Sequence, residues 1–329
     1  MNRMHFTYQL SQCFTESIQL DRNLVVLSQK SQHINQQHTN EAFSEKWRQY
    51  EQSDEKERLY QFQRDWYLKL YGFGSEDELA RFLHTKSVIF DAGCGLGYKA
   101  AWFAQLAPHA LVIGMDFSDA AYQAAGKYSN LENLFFVKGD IANTGFCESS
   151  VDYTSCDQVI MHTEDPALTF TELARITSKE KGEFACYFYA KKALPRELLD
   201  DYFRIQCMRM NRQDLWIMSE QLTELGKRLS ELNVSFDCPA IPALGIKKGH
   251  YDIQRFIYWN FLKCFWNDEL GIETSIITNF DWYSPSNARR FSMNDVHDIV
   301  AANRMTEVFF HEEEACFSGR FSHLCNLME

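Results

Sequence analysis

Gly93, Gly95 and Gly97 stand at alternate positions just after Asp91, which closes the apolar run Val88-Ile89-Phe90. That spacing lets the backbone turn sharply and leaves no side chain between its amides and a ligand, as the seat of a polar cofactor requires. Two more acidic residues stand where apolar runs end, Asp116 after 110–115 and Asp140 after 134–137. Ligands of a doubly wound sheet lie beyond the carboxyl ends of its strands, so Asp116 is placed to accept hydrogen bonds from ribose hydroxyls. A fourth run, 151–156, ends in Cys156 and leads to Asp157, His162 and Glu164. An imidazole exchanges a proton near neutral pH, which makes His162 the first candidate for a general base, with Asp157, Glu164 and Tyr187 in reserve.

These residues need strands and helices to position them. Residues 88–90 are apolar without alternation, as in a parallel strand covered on both faces, and helical spacing follows in Ala101, Trp102, Ala104 and Leu106. Ser118 is placed to cap a helix reaching Lys127, and Ser75 with Glu78 forms a capping box for a short helix through Phe82. Asp165 and Pro166 open a helix carrying Leu168, Phe170, Leu173 and Ile176, ahead of a fifth strand over 183–190. Near the end, Ser292 caps a helix over 293–303, and 306–311 with 315–321 read as a closing antiparallel pair.

The turn is G-x-G-x-G, and Tyr98 occupies the place where a dinucleotide fingerprint sets a small third residue. Asp91-Ala92-Gly93-Cys94-Gly95 resembles motif I of the class I S-adenosylmethionine-dependent methyltransferases. The segment Met161-His162-Thr163-Glu164-Asp165-Pro166 with Leu173-Ala174-Arg175 resembles their motif IV, although Lys181-Gly182 replaces the usual Pro-Gly-Gly. The resemblance implies a Rossmann-like α/β fold with a doubly wound seven-stranded sheet and an antiparallel last strand. It also implies that Asp140 meets the adenine amino group while Ile141 packs on the ring. The cofactor set it suggests is Asp91, Gly93, Gly95, Gly97 and Asp116, joined by Phe117, Asp140, Ile141 and Cys156. The implied chemistry is in-line transfer of the sulfonium methyl group of S-adenosylmethionine to a small-molecule acceptor. A non-catalytic module that binds S-adenosylmethionine or supports a partner is the alternative. A nicotinamide-dependent oxidoreductase fits less well, because of Tyr98.

Residues 191–285 leave the minimal fold as a helical insertion rich in aromatic residues. Within it, Arg255, Tyr258, Trp259, Lys263, Trp282 and Tyr283, with Tyr187 and Tyr189 at the fifth strand, are the expected acceptor contacts; a homodimer interface is the rival use of such rings. Tyr189-Ala190-Lys191-Lys192 and Trp282-Tyr283-Ser284-Pro285 also resemble methyltransferases of surface-polysaccharide and other biosynthetic clusters. Some of these carry an N-terminal cysteine-paired zinc segment, which Cys13 alone cannot make. The expected division is an appendage at 1–40, a helical lid at 41–86, a cofactor-binding core at 87–190 and 286–329, and the insertion as a substrate cap.

Composition narrows the classes further. A chain of 329 residues with 45% hydrophobic residues can bury a full core, and a formal net charge of −12 without long basic runs argues against nucleic acid. No apolar stretch approaches the roughly 18 residues of a membrane span, and no signal-peptide layout is present, so the expected location is the cytoplasm. The ten cysteines include no C-x-x-C pair, which fits reduced core thiols and no metal site. His33 and His38 read as solvated loop histidines.

Overall fold

Among the described residues eleven strands form in chain order: β1 (Leu20–Asp21), β2 (Leu24–Val26), β3 (Val88–Ala92), β4 (Leu111–Asp116), β5 (Leu134–Lys138), β6 (Tyr153–Cys156), β7 (Glu183–Tyr189), β8 (Ser235–Cys238), β9 (Gly249–Asp252), β10 (Met305–Glu312) and β11 (Cys316–His323). The computed structural model describes residues 2–27 and 34–324, so His33 and Cys325 lie outside the described residues. The chain divides into two units, one of residues 1–33, 63–189 and 289–329, the other of 34–62 and 190–288. The division at 62/63 falls inside the helix Lys56–Leu70.

The first unit is a mixed α/β layer structure around a single sheet in the order β1-β2-β5-β4-β3-β6-β7-β11-β10. β5, β4, β3, β6 and β7 run parallel, and β11 inserts antiparallel between β7 and β10. All five residues of β3 are buried, as expected of a central parallel strand with helices on both faces. The sheet has nine strands and not seven. The additional two come from the supposed appendage, because Leu24–Val26 pairs in parallel with Phe136, Val137 and Lys138 and buries Val25. Ahead of them, the helix Arg3–Cys13 buries Phe6, Leu10 and Cys13 at helical spacing and sends the Arg3 guanidinium to the carbonyls of Ser129 and Leu131.

Two local signals resolve differently from expectation. The Glu78 carboxylate accepts the Gly74 amide instead of closing the box on Ser75, and the helix Ala120–Lys127 has Asp119 at its N-cap. Ser118 still serves that helix, since its hydroxyl accepts the Ala120 amide at 3.3 Å. Asp165 caps the helix Pro166–Ile176 through the amides of Ala167 and Leu168.

The second unit packs the helices Ile34–Gln52, Leu194–Cys207, Arg212–Glu231, Ile253–Asn260 and Ile272–Tyr283 with the two-stranded sheet β8-β9, a strand pair the helical pattern had not indicated. The aromatic segment is helical only to Asn260. Beyond it the chain is clamped by Asn279, whose amide accepts Phe265 N–H at 2.8 Å and donates to Phe265 O at 3.0 Å. A Cβ at Gly226 would stand 2.4 Å from Cys264 O, so glycine there lets helix and segment touch. Segment 34–62 is held within this unit by Lys46–Asp281 at 2.9 Å and by Glu55, which accepts Thr274 N–H at 2.7 Å. No helix among the described residues is long and apolar enough to cross a membrane.

Candidate functional site

Gly93, Gly95 and Gly97 all adopt positive φ, at 75°, 51° and 76°, so the alternate glycines are a geometric need of the turn. The turn is tied to the β4 tip. Met115 O accepts the amides of Gly93 and Cys94 at 2.7 and 2.9 Å, and Asp116 Oδ2 accepts Gly95 N–H at 2.8 Å. The other Asp116 oxygen accepts the amide and hydroxyl of Ser118, and its carbonyl accepts Gly139 N–H from the β5 tip. Asp116 is therefore the residue on which three strand tips converge, which adds a structural task to the expected ribose contact. Phe117 is half-buried beside it, and its carbonyl accepts Lys138 Nζ. At the next tip, Asp140 accepts Ala142 N–H at 2.9 Å, and burial raises its pKa, while Ile141 is buried.

The glycine turn also locks onto the β6 tip. A Cβ at Gly93 would stand 2.4 Å from the Val159 side chain, and Gln158 takes φ 63°, a conformation that costs a non-glycine residue on the order of 1 kcal/mol or more. Beneath this contact lies a buried charge cluster. Lys99 Nζ stands 3.3 Å from an oxygen of Asp91 and 3.3 Å from one of Asp157, and Tyr71 OH donates to the other Asp157 oxygen at 2.9 Å. Lys99 donates a hydrogen bond to Asp157, whereas neither oxygen of the fully buried Asp91 accepts one among the described residues. Burial pushes the Asp91 carboxyl up to about 6 against the opposing pull of Lys99. Burial alone would lower the Lys99 pKa, but the two carboxylates outweigh it and raise it. Sequence reasoning missed Lys99 and Tyr71. The available signal was a lysine near the start of the largely apolar helix Tyr98–Leu106, ahead of Ala100, Ala101, Trp102 and Phe103.

The base candidates separate. Asp157 is engaged through both oxygens by Lys99 and Tyr71, so it serves as an ion-pair partner and does not offer a lone carboxylate for proton transfer. Tyr187 is buried between the rings of Trp66 and Tyr189, and burial raises its pKa well above the ordinary range, which removes it as a base at neutral pH. Cys156 is fully buried beside its register partner Cys186, so the side chain belongs to the interior of the sheet. His162 ends a short 3-10 turn, Ile160–His162, and its ring meets the Tyr189 ring edge-on at 5.5 Å. That loop is pinned by Arg289, whose amide donates to Met161 O at 3.0 Å and whose guanidinium donates to Glu164 O at 3.2 Å.

The six acceptor candidates of the insertion, among them the buried Lys263, all lie in the second unit. Tyr258, Trp282 and Tyr283 are buried, and Arg255 and Trp259 are half-buried. Tyr283 OH donates to Asp200 at 3.0 Å, and Asp200 pairs with the buried Arg196 at 2.8 Å. The buried rings do not form an exposed surface for a second copy. His38, read as solvated, instead meets Ser286 Oγ at 2.8 Å.

A family model described as a methyltransferase domain matches residues 90–186, the segment that holds the glycine turn and the strand tips. An uncharacterized methyltransferase of Schizosaccharomyces pombe is 29% identical over 117 residues, covering 33% of this chain and 41% of the relative. A malonyl-[acyl-carrier protein] O-methyltransferase of Legionella pneumophila is 32% identical over 89 residues, 27% of this chain and 31% of the relative. The chain thus spans less than half the length of these curated relatives. Among solved structures, magnesium protoporphyrin IX methyltransferase of Synechocystis PCC 6803 aligns over 88% of this chain and 99% of its own, with 14% identity and a TM-score of 0.45.

Proposed function

We propose that the chain, whose residues 90–186 match a methyltransferase domain, is a class I S-adenosylmethionine-dependent methyltransferase that methylates a small-molecule acceptor and releases S-adenosylhomocysteine. The observation that carries the proposal is the glycine turn, with three positive-φ glycines, the middle one anchored to Asp116, and a buried carboxylate directly before it, Asp91, that is ion-paired with Lys99 yet accepts no hydrogen bond among the described residues. These residues fit a cofactor with a ribose and an ammonium group. Asp116 has accepting capacity beyond its three protein hydrogen bonds, and Asp91 lacks any. When bound, S-adenosylmethionine supplies an electrophilic methyl group on a sulfonium. The protein's part is to hold the reacting groups in line and exclude water, an alignment effect that reaches about 7–11 kcal/mol in favourable systems. The direct test is incubation with labelled S-adenosylmethionine and cell extract. Binding of S-adenosylhomocysteine without any label transfer would instead favour the non-catalytic module.

Where the acceptor needs a base, His162 is the residue proposed. The pH–rate profile of transfer should lose one limb in His162→Asn, while affinity for S-adenosylhomocysteine stays constant. An unchanged limb would assign the proton to another group. Acceptor recognition is proposed for the second unit, which the chain enters just after β7. A homodimer remains a proposal. Its apolar support lies on the helix Leu194–Cys207, where Leu194, Leu198, Tyr202 and Ile205 are exposed at helical spacing, and not on the aromatic segment. A cytoplasmic location is part of the proposal; none of the nine described cysteines forms a disulfide among the described residues.

Asp116→Ala should weaken binding of S-adenosylhomocysteine by about 1–3 kcal/mol, roughly 5- to 150-fold, through lost charge-assisted hydrogen bonds. The Gly95 amide is released by the same change, so the tighter end of that range is not expected. Equal affinity of the variant and the parent by calorimetry would remove the ribose assignment.

A further inference from the structure

We propose that the second unit holds a binding site for an anionic group, a carboxylate or phosphate, carried by the methyl acceptor; this rests on the methyltransferase reading. Three cations surround one ring. Arg196, Arg255 and Lys263 stand 5.4, 5.6 and 5.2 Å from the centroid of Tyr258. Among the described residues, Asp200 is the one carboxylate ion-paired with any of these cations, and its two oxygens are taken by Arg196 and by Tyr283 OH. Arg196 is therefore matched and the other two are not.

Lys263 is the sharper case. It is 6% exposed, and its ammonium makes one hydrogen bond, to Tyr258 OH at 3.1 Å. Its remaining surroundings are ring faces, with Trp282 at 4.5 Å and Phe265 at 5.7 Å, and no carboxylate among the described residues lies within ion-pair distance. Arg255 is half-buried beside it; its backbone N–H donates to the Asp252 carboxylate, but its guanidinium donates only to Trp266 O at 3.3 Å and has no carboxylate within ion-pair distance among the described residues. A buried ammonium without a counterion is costly, and ring faces compensate it only in part. Such an arrangement persists when the missing negative charge arrives with a ligand. The sign of the cluster excludes a cationic acceptor at this place, because an ammonium would meet two uncompensated positive groups. A planar guanidinium beside a point-like ammonium suits an oxyanion with two or more oxygens.

The test is calorimetric titration of the full chain at low ionic strength with inorganic phosphate and, separately, with succinate, using chloride as the control. The parent should bind one of the two saturably, and which one identifies the source of the charge. Lys263→Met should lose at least tenfold in that affinity and, without anion, should melt no lower than the parent, since an uncompensated charge has been removed. Arg255→Met, at a half-buried position, should weaken the same titration. Both variants should bind S-adenosylhomocysteine as the parent does, which separates this site from the cofactor seat. Absence of binding by both anions, equal anion affinity in both variants, or a clearly lower melting temperature for Lys263→Met without anion would overturn the proposal. Loss of S-adenosylhomocysteine binding by the parent would instead undo the methyltransferase reading.

Discussion

Lys99→Met should destabilise the first unit by about 3–5 kcal/mol, the range for removing one partner of a buried ion pair. The change leaves Asp91, with no exposure, and Asp157, with 7%, facing each other across the space the ammonium filled. Methionine replaces the stem but cannot satisfy either carboxylate. The loss should depend on pH with a definite sign. Asp91 already has its pKa pushed up to about 6 with Lys99 present, first by burial, and without the lysine it must rise further. A carboxyl whose folded pKa exceeds its unfolded value binds more protons in the folded state, so stability falls as pH rises through the folded pKa. The deficit of Lys99→Met should therefore be largest at pH 8 and shrink toward pH 5, as read from urea unfolding at both pH values. Asp91→Asn in the same background should restore much of the loss at pH 8. A deficit independent of pH, or no rescue by Asp91→Asn, would show that the cluster is not held by this charge balance.

The same cluster shows where the sequence is transparent and where it is opaque. β3, β4 and β5 are legible because each is an apolar run of strand length that meets a polar residue at its end, Asp91, Asp116 and Lys138, and parallel pairing buries such runs on both faces. The alternate glycines are legible because positive φ at successive alternate residues admits little else. Lys99 and Tyr71 are not, since a helical lysine reads as solvated until its neighbours are known to be buried, and Tyr71 is 86 residues from the Asp157 it binds. The hairpin Leu20–Val26 was hidden for another reason. Two- and three-residue strands lack enough periodicity to register, and only pairing with Phe136–Lys138 makes them part of the sheet. In the second unit the aromatic residues were visible, but their burial was not, because a ring-rich helix looks the same whether it lines a site or fills a core. The excess of cations around Tyr258 emerges only when Asp200, 58 residues away in sequence, is seen to be shared between Arg196 and Tyr283.

Gly95→Val should abolish measurable cofactor binding, with affinity for S-adenosylhomocysteine falling about a hundredfold or more. Gly95 sits at φ 51°, where a β-branched residue is strained by on the order of 1–3 kcal/mol, and the strain is relieved only if the turn unwinds. Unwinding breaks the 2.8 Å bond from Gly95 N–H to Asp116, a hydrogen bond to a charged group worth about 1.5–3 kcal/mol. The two effects act on one atom group and together amount to about 2.5–6 kcal/mol, against the roughly 2.8 kcal/mol that corresponds to a hundredfold. Because Asp116 also receives Ser118 and, through its carbonyl, Gly139, the disturbance reaches the β5 tip that carries Asp140. The fold itself should survive, since β3 and β4 keep their register bonds from Val88 to Ala92. Gly126→Ala is the matched control. It lies in the helix Ala120–Lys127 with no atom within 4 Å of the new Cβ, so it should leave affinity unchanged and raise stability by about 0.4–1 kcal/mol. Calorimetry on both variants, with circular dichroism to confirm folding, provides the comparison. A folded Gly95→Val protein that binds S-adenosylhomocysteine as tightly as the parent would move the cofactor away from this turn and with it the assignment of Asp91 and Asp116.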